Sequence, residues 1–180
     1  MGRPKALLPA GPGPVEEAPT FVAVLVRAFA VAGCAPLVVV SGAHRLGCAV
    51  PAPAFEVDAP DWAAGMRASL RAGLMALPVE TGVLLTHVDR PRVRPTTLAA
   101  LLEGPAEETR LPVHRGMPGH PVFLGVGLCS RLLDADDTPL DRVIAEWGSG
   151  RGRVRSVPVD DPDVLLNVNT PEALAALHRR

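Results

Sequence analysis

Three short runs rich in β-branched residues, PLVVVSG (36–42), FEVD (55–58) and VLLTHVD (83–89), alternate with stretches whose apolar residues recur at helical spacing. Strands separated by helices build a parallel sheet covered on both faces, so this alternation constrains the fold more than any other feature. The helical stretches cover 16–32, with Gly33 as a stop, and 62 to about 77, with Asp61 as N-cap and Met66, Leu70, Leu74 and Leu77 on one face. Another covers 95–102, opened by Pro95. Beyond it, 110–115 and 120–125 frame a glycine-bearing turn at 116–119. Helices near 127–134 and 139–147 follow, and 153–159 alternates like a strand. Thr170 caps a last helix over 171–177, with Pro171 at its first position and Glu172 in its first turn. Residues 1–14 read as an ordered loop. The 180 residues suit one domain, 1–180, and no repeat or linker divides them.

Charge and composition remove several classes of function. The formal net charge is −1, aromatics are 3% and Tyr is absent, so neither a basic footprint nor a base-stacking platform for nucleic acid is expected. The longest apolar stretch, 21–40, is broken by Arg27, Gly33 and Pro36, which excludes a membrane span. No signal peptide is visible, and Cys34, Cys48 and Cys129 are scattered without a C-x-x-C pair. These features predict a cytoplasmic protein whose cysteines are small buried hydrophobes.

Five motifs could carry chemistry. Gly2-Arg3-Pro4-Lys5 places two cations on a stiffened loop, suited to an anion or to a solvated terminus. Trp62, Gly65, Met66, Ser69 and Leu70 lie on an amphipathic helix with small residues for packing on the sheet. Ligands of open α/β sheets bind beyond the carboxyl ends of strands. Val88-Asp89-Arg90-Pro91 puts a carboxylate there, able to hold Mg²⁺ with few protein ligands or to serve as a loop cap. Met117-Pro118-Gly119-His120-Pro121 sets a lone His between turn residues, where a structural hydrogen bond is the plainer role. Asp160-Asp161-Pro162 leads into Leu165-Leu166-Asn167-Val168-Asn169-Thr170-Pro171-Glu172, whose Asn and Thr suit turns and caps.

In order and spacing, M-G-R-P-K-A-L-L-P, W-x-x-G-M-x-x-S-L-x-x-G-L, V-D-R-P, G-x-P-G-H-P-V and D-D-P-x-V-L-L-N-V-N-T-P-E resemble the molybdenum cofactor cytidylyltransferase type of MobA-like nucleotidyltransferases, from Met1 to about Leu177. The resemblance implies a three-layer, Rossmann-like α/β fold of GT-A type, with a mostly parallel sheet and helices on both faces. It implies Mg²⁺-dependent transfer of a nucleoside monophosphate from a nucleoside triphosphate, CTP first, to a phosphorylated acceptor such as molybdopterin, with pyrophosphate released. Such transfer needs charge neutralisation and in-line positioning more than acid–base chemistry. By the match, Lys5 and Asp89 are the catalytic residues. Gly2, Arg3, Lys5, Gly65 and Ser69 bind the nucleotide. Asp89 and Asn169 hold the metal, with Asn167 as the alternative to Asn169, and Gly119 and His120 face the acceptor. A molybdoenzyme or maturation factor is the implied protein partner.

The sequence departs from the family pattern at its start. Family members have an apolar strand and an L-A-A-G-x-S-x-R loop before M-G-x-P-K, and neither is present in these 180 residues. The domain is therefore expected to be N-terminally incomplete. In the family topology that strand lies between the strands at 37–41 and 83–87, whose edges are expected to face each other unpaired. A relative that binds nucleotide or a partner with impaired turnover is the alternative this implies. Arg90 after the carboxylate, Ala59 in place of an Asn and Ala173 in place of an acidic residue are smaller departures.

Overall fold

The computed structural model describes residues 4–11, 18–134, 137–150 and 152–179. Strand β1 (Leu37–Ser41) runs parallel to β2 (Ala54–Asp58), in register from Leu37 opposite Ala54 to Ser41 opposite Asp58. Helix α1 (Phe21–Val31) precedes this pair and α2 (Met66–Met75) follows it. Alternate side chains of β1 leave on opposite faces, as the pleat requires. Leu37 and Val39 pack with Val22, Val26 and Phe29 of α1, whereas the Val40 methyl lies 2.8 Å from where a Cβ on Gly73 of α2 would be.

Strand β3 (Val83–Leu85) divides its side chains in the same way. Leu84 joins the α1 side, together with Leu98 of α3 (Pro95–Leu102). Val83 and Leu85 join Leu74 of α2, Leu128 and Leu132 of α4 (Val126–Leu133), and Val143 and Ile144 of α5 (Leu140–Ser149). Helices on both faces of the sheet give the three α/β/α layers expected.

The sheet itself needs correcting. Strand β4 (Glu108–His114) is flanked by β6 (Val122–Leu124), which also pairs with β3, and by the short β5 (Met117–Pro118); all three of these pairings are antiparallel. Strand β7 (Arg153–Pro158) runs parallel to β4. Of the five ladders among the described residues, only β1–β2 and β4–β7 are parallel, so "mostly parallel" does not hold. The reason is the turn at 115–116. Arg115 and Gly116 both have positive φ, and the chain folds straight back on itself instead of crossing over through a helix.

β1–β2 and the five-stranded sheet are separate, with no ladder between β1 and β3. The space between them is an apolar cavity of about 1010 Å³, lined by Val26 and Phe29 of α1, Val38 and Val40 of β1, Leu70 of α2 and Leu84 of β3. Close-packed interiors do not leave a gap of this size between two strand edges.

Local differences have local causes. Helix α1 begins at Phe21 rather than at 16: Thr20 is extended, its hydroxyl accepts from the Ala23 N–H at 3.3 Å, and it bridges to Pro9. Residues 16 and 17 lie outside the described residues. Asp61 does not cap α2. Trp62–Ala64 forms a separate 3-10 turn, and Gly65, with φ of 119°, re-aims the chain before the helix starts. Thr170 does cap the last helix, α6 (Pro171–His178), accepting from the Ala173 N–H at 3.2 Å. The three cysteines are free thiols. Cys129 is buried, its thiol pushed up to about 12 by burial, but Cys48 is exposed, contrary to expectation. No helix among the described residues is long and apolar enough to cross a membrane.

Candidate active site

The chain leaves the ladder after Leu85, and residues 86–90 turn at the carboxyl end of β3, with the Arg90 N–H donating to the His87 carbonyl at 3.2 Å. Two remote segments meet this turn. The first is the N-terminal loop. Its 3-10 turn Lys5–Leu7 is followed by Leu8, whose carbonyl accepts from the Phe21 N–H at 2.9 Å. Leu8 is buried with Phe21, Val168 and Leu177, and His178 Nε2 contacts the Pro9 carbonyl at 2.9 Å.

The second is the segment 161–169. Asp161, buried, accepts from the Thr97 hydroxyl at 2.6 Å and pairs with Arg94 at 3.3 Å, which ties the segment to α3. A 3-10 turn, Pro162–Leu165, follows, and the Val168 N–H then donates to the Asp89 carbonyl at 2.8 Å.

These anchors bring Lys5, Asp89 and Asn169 together. The Lys5 ammonium hydrogen-bonds the Asn169 side-chain oxygen and lies 3.6 Å from Asp89 Oδ2. Lys5 and Asn169 are 164 positions apart, and their meeting depends on the buried cluster behind them. Asn167 makes no such contact among the described residues.

Gly65 and Ser69 on one wall of the cavity, and Gly119 and His120 on another, open onto the same space as His87 and Arg90. Gly119 is there for steric reasons. A Cβ at this position would stand 2.4 Å from the Val164 carbonyl oxygen, which accepts from the His120 N–H at 3.0 Å. Gly2 and Arg3 lie outside the described residues.

Burial sets the charge state of this wall. His120 and His87 meet edge to face with ring centroids 4.7 Å apart. The His120 imidazole is pushed down to about 3, first by burial and then by the neighbouring His87 and Arg90. His87 is lowered by burial, with Asp89 opposing. Burial likewise lowers Arg90, again against Asp89. Both rings are therefore neutral near pH 7, beside the Arg90 guanidinium. His120 Nδ1 and Arg90 Nε are buried and make no hydrogen bond among the described residues.

Sequence reasoning missed His87, and it treated Arg90 only as a departure from a pattern. The signal for both was adjacency to a strand-end carboxylate. No group of three or more His, Cys, Asp or Glu among the described residues could hold a metal by itself. What the site offers is one carboxylate and one amide oxygen with a cation already between them, a hard-oxygen set that leaves most coordination positions to water or phosphate.

Compared with known proteins, residues 1–152 match the family model described as the MobA-like NTP transferase domain. The chain belongs to that family. The molybdenum cofactor cytidylyltransferase of Escherichia coli (strain K12) is 25% identical over 113 residues, a stretch covering 63% of this chain and 56% of that protein. Among solved structures, Rv0371c from Mycobacterium tuberculosis is 26% identical with a TM-score of 0.76, over 100% of this chain and 92% of that one. A second structure of Rv0371c is a complex with manganese, at 27% identity and a TM-score of 0.74, over 100% and 94% of the two chains. A nucleotidyl transferase from Methanothermobacter (Mth528) shares the fold, with a TM-score of 0.80 at 23% identity over 97% of this chain and 83% of that one.

Proposed function

We propose that this chain carries the site of a divalent-metal-dependent nucleotidyltransferase, which moves a nucleoside monophosphate from a nucleoside triphosphate to a phosphorylated acceptor. CTP is the first choice of donor, Mg²⁺ of metal, and a molybdopterin-type compound of acceptor, in a reducing cytoplasm. The observation that carries the reading is the Lys5 ammonium held between the Asp89 carboxylate and the Asn169 amide oxygen at the carboxyl end of β3. An ammonium in that position marks where the protein's oxygens attract a cation. Family membership supports the reaction class, and the manganese complex of Rv0371c supports a divalent ion.

In the reaction, an acceptor phosphate oxygen bonds to the α-phosphorus while the bond from the α-phosphorus to the bridging oxygen breaks, and pyrophosphate departs with that electron pair. A divalent ion at Asp89 and Asn169 would supply charge neutralisation for the phosphates. Lys5, released from Asn169, is free to pair with the triphosphate, and Asp89 keeps the ammonium at hand. Gly65 and Ser69 line the nucleotide side of the cavity. Gly119 and His120 line the side given to the acceptor. With His87 and His120 neutral, the wall can donate or accept hydrogen bonds without adding charge.

Pyrophosphate release with CTP, GTP or ATP, Mg²⁺ and molybdopterin is the test. Activity is expected, with at least a hundredfold loss in Asp89→Ala; activity indifferent to that substitution removes the metal role. The second reading, a relative that binds nucleotide with little turnover, is favoured by the open cavity between β1 and β3. Calorimetric titration with CTP and Mg²⁺ separates the two: tight binding without turnover selects the second reading, and turnover excludes it.

A further inference from the structure

Arg90 follows the proposed metal-binding carboxylate in sequence and feels its charge, yet the hydrogen bonds of its guanidinium go elsewhere. Nη1 donates to two carbonyls of the segment that carries Asn169, that of Val164 at 3.0 Å and that of Leu166 at 3.2 Å. The His120 N–H takes the Val164 oxygen from a second direction, and the Val168 N–H closes on the Asp89 carbonyl. Val164 and Val168 have no exposed surface. Residues 164–168 are thus stapled to the turn after β3, and among the described residues Arg90 is the only side chain that hydrogen-bonds the Val164 and Leu166 carbonyls. Asn169, whose oxygen meets Lys5, is the next residue along the chain.

We propose that Arg90 is a positioning residue: it sets the Asn169 amide oxygen in register with the Asp89 carboxylate and so governs the affinity of this site for a divalent cation. The inference rests on the metal reading given under Proposed function. Its physical content is a sign. A guanidinium next to a cation site repels the incoming ion, so loss of its charge alone tightens binding. Loss of the staple frees the 164–169 segment and weakens binding. Partners that orient metal ligands typically change affinity about 10–100-fold when removed. Positioning therefore outweighs repulsion here, and the expected direction is weakening.

The test is Mn²⁺ binding to the full chain, followed by electron paramagnetic resonance, for wild type, Arg90→Met, Arg90→Lys, Asp89→Asn, Asn169→Ala and the Arg90→Met/Asn169→Ala double variant, with thermal melts alongside. Arg90→Met is expected to weaken Mn²⁺ binding roughly 10–100-fold. Because one nitrogen serves both carbonyls, Arg90→Lys is expected to fall between Arg90→Met and wild type. In the Asn169→Ala background the Arg90→Met substitution should add less than about twofold, since coupled residues are non-additive. Tighter or unchanged binding in Arg90→Met, or an equal loss in both backgrounds, overturns the proposal. If wild type does not bind Mn²⁺, or Asp89→Asn binds it as well as wild type, the metal reading itself fails. The Asn169 side-chain amide resonance in metal-free protein then decides: displacement in Arg90→Met sustains the positioning role, and an unmoved resonance ends it.

Discussion

Gly119→Ala adds one methyl group at the point where the site is assembled, and its cost can be worked from the geometry. The new Cβ would lie 2.4 Å from the Val164 oxygen and 2.8 Å from its carbonyl carbon, both backbone atoms with no rotamer to escape into. Restoring an ordinary contact moves that carbonyl by about 1 Å. The same oxygen accepts from the His120 N–H and from Arg90 Nη1, each at 3.0 Å, so a shift of that size takes both beyond hydrogen-bonding range. A neutral bond contributes about 1 kcal/mol and one from a charged donor about 1.5–3, a loss of roughly 2.5–4 kcal/mol. Alanine recovers about 0.4–1 kcal/mol by restricting the unfolded chain, because Gly119 is not held at positive φ. The net destabilisation is about 1.5–3.6 kcal/mol, or a fall in Tm of roughly 3–14 °C for a domain of this size. Calorimetric melts of wild type and Gly119→Ala read it directly. A Tm within about 1 °C of wild type would refute the steric argument, and with it the claim that Val164 is held rigidly against the Gly119–His120 turn.

Three other outcomes are expected. Arg110 is fully buried, donating to the Leu101 and Pro105 carbonyls at 2.6 and 2.7 Å with its guanidinium 3.8 Å above the Phe123 ring; Arg110→Met strands both carbonyls and should cost about 2–5 kcal/mol in urea unfolding, with a loss under 1 kcal/mol counting against the network. His120 ionises near 3 in the fold and near 6.5 when unfolded, so the unfolded state binds the extra proton between those values. The contribution of the neutral ring to stability is therefore complete above pH 6.5 and is lost as pH falls toward 3, with a slope of at most about 1.4 kcal/mol per pH unit. His120→Asn should flatten that part of the pH profile, and an unchanged profile would show that the ring is not buried neutral. Thr170→Ala removes the α6 cap and should cost about 0.5–2 kcal/mol, read as a shift in urea midpoint; no shift would mean that the Pro171 start suffices.

Much of the layering was legible because it rests on local periodicity. Strand-length apolar runs and amphipathic stretches named most of the helices and strands, and the alternation of Leu84 with Val83 and Leu85 follows directly from the pleat. Strand direction was not legible. Nothing in VFL at 122–124 says that it enters between β3 and β4 antiparallel to both, since the order depends on a tight turn at Arg115–Gly116 and on which edges are free. That β1 and β3 share no ladder was an expectation of the sequence, but the lining of the cavity between them is a property of the packed helices.

The site divides along the same line. Sequence alone identified Lys5, Asp89 and Asn169 as the residues to watch, because a strand-end carboxylate and a lysine-bearing loop have recognisable local chemistry and because ordered motifs carry a resemblance. Only the tertiary structure decided that the three meet. Contact across 164 positions depends on Leu8, Phe21, Val168 and Leu177 being buried together, and on Asp161 and Arg90 fastening one segment to two others. Those partners are ordinary residues in sequence. Their roles arise from long-range packing and hydrogen bonding, which a linear pattern does not encode at any single position.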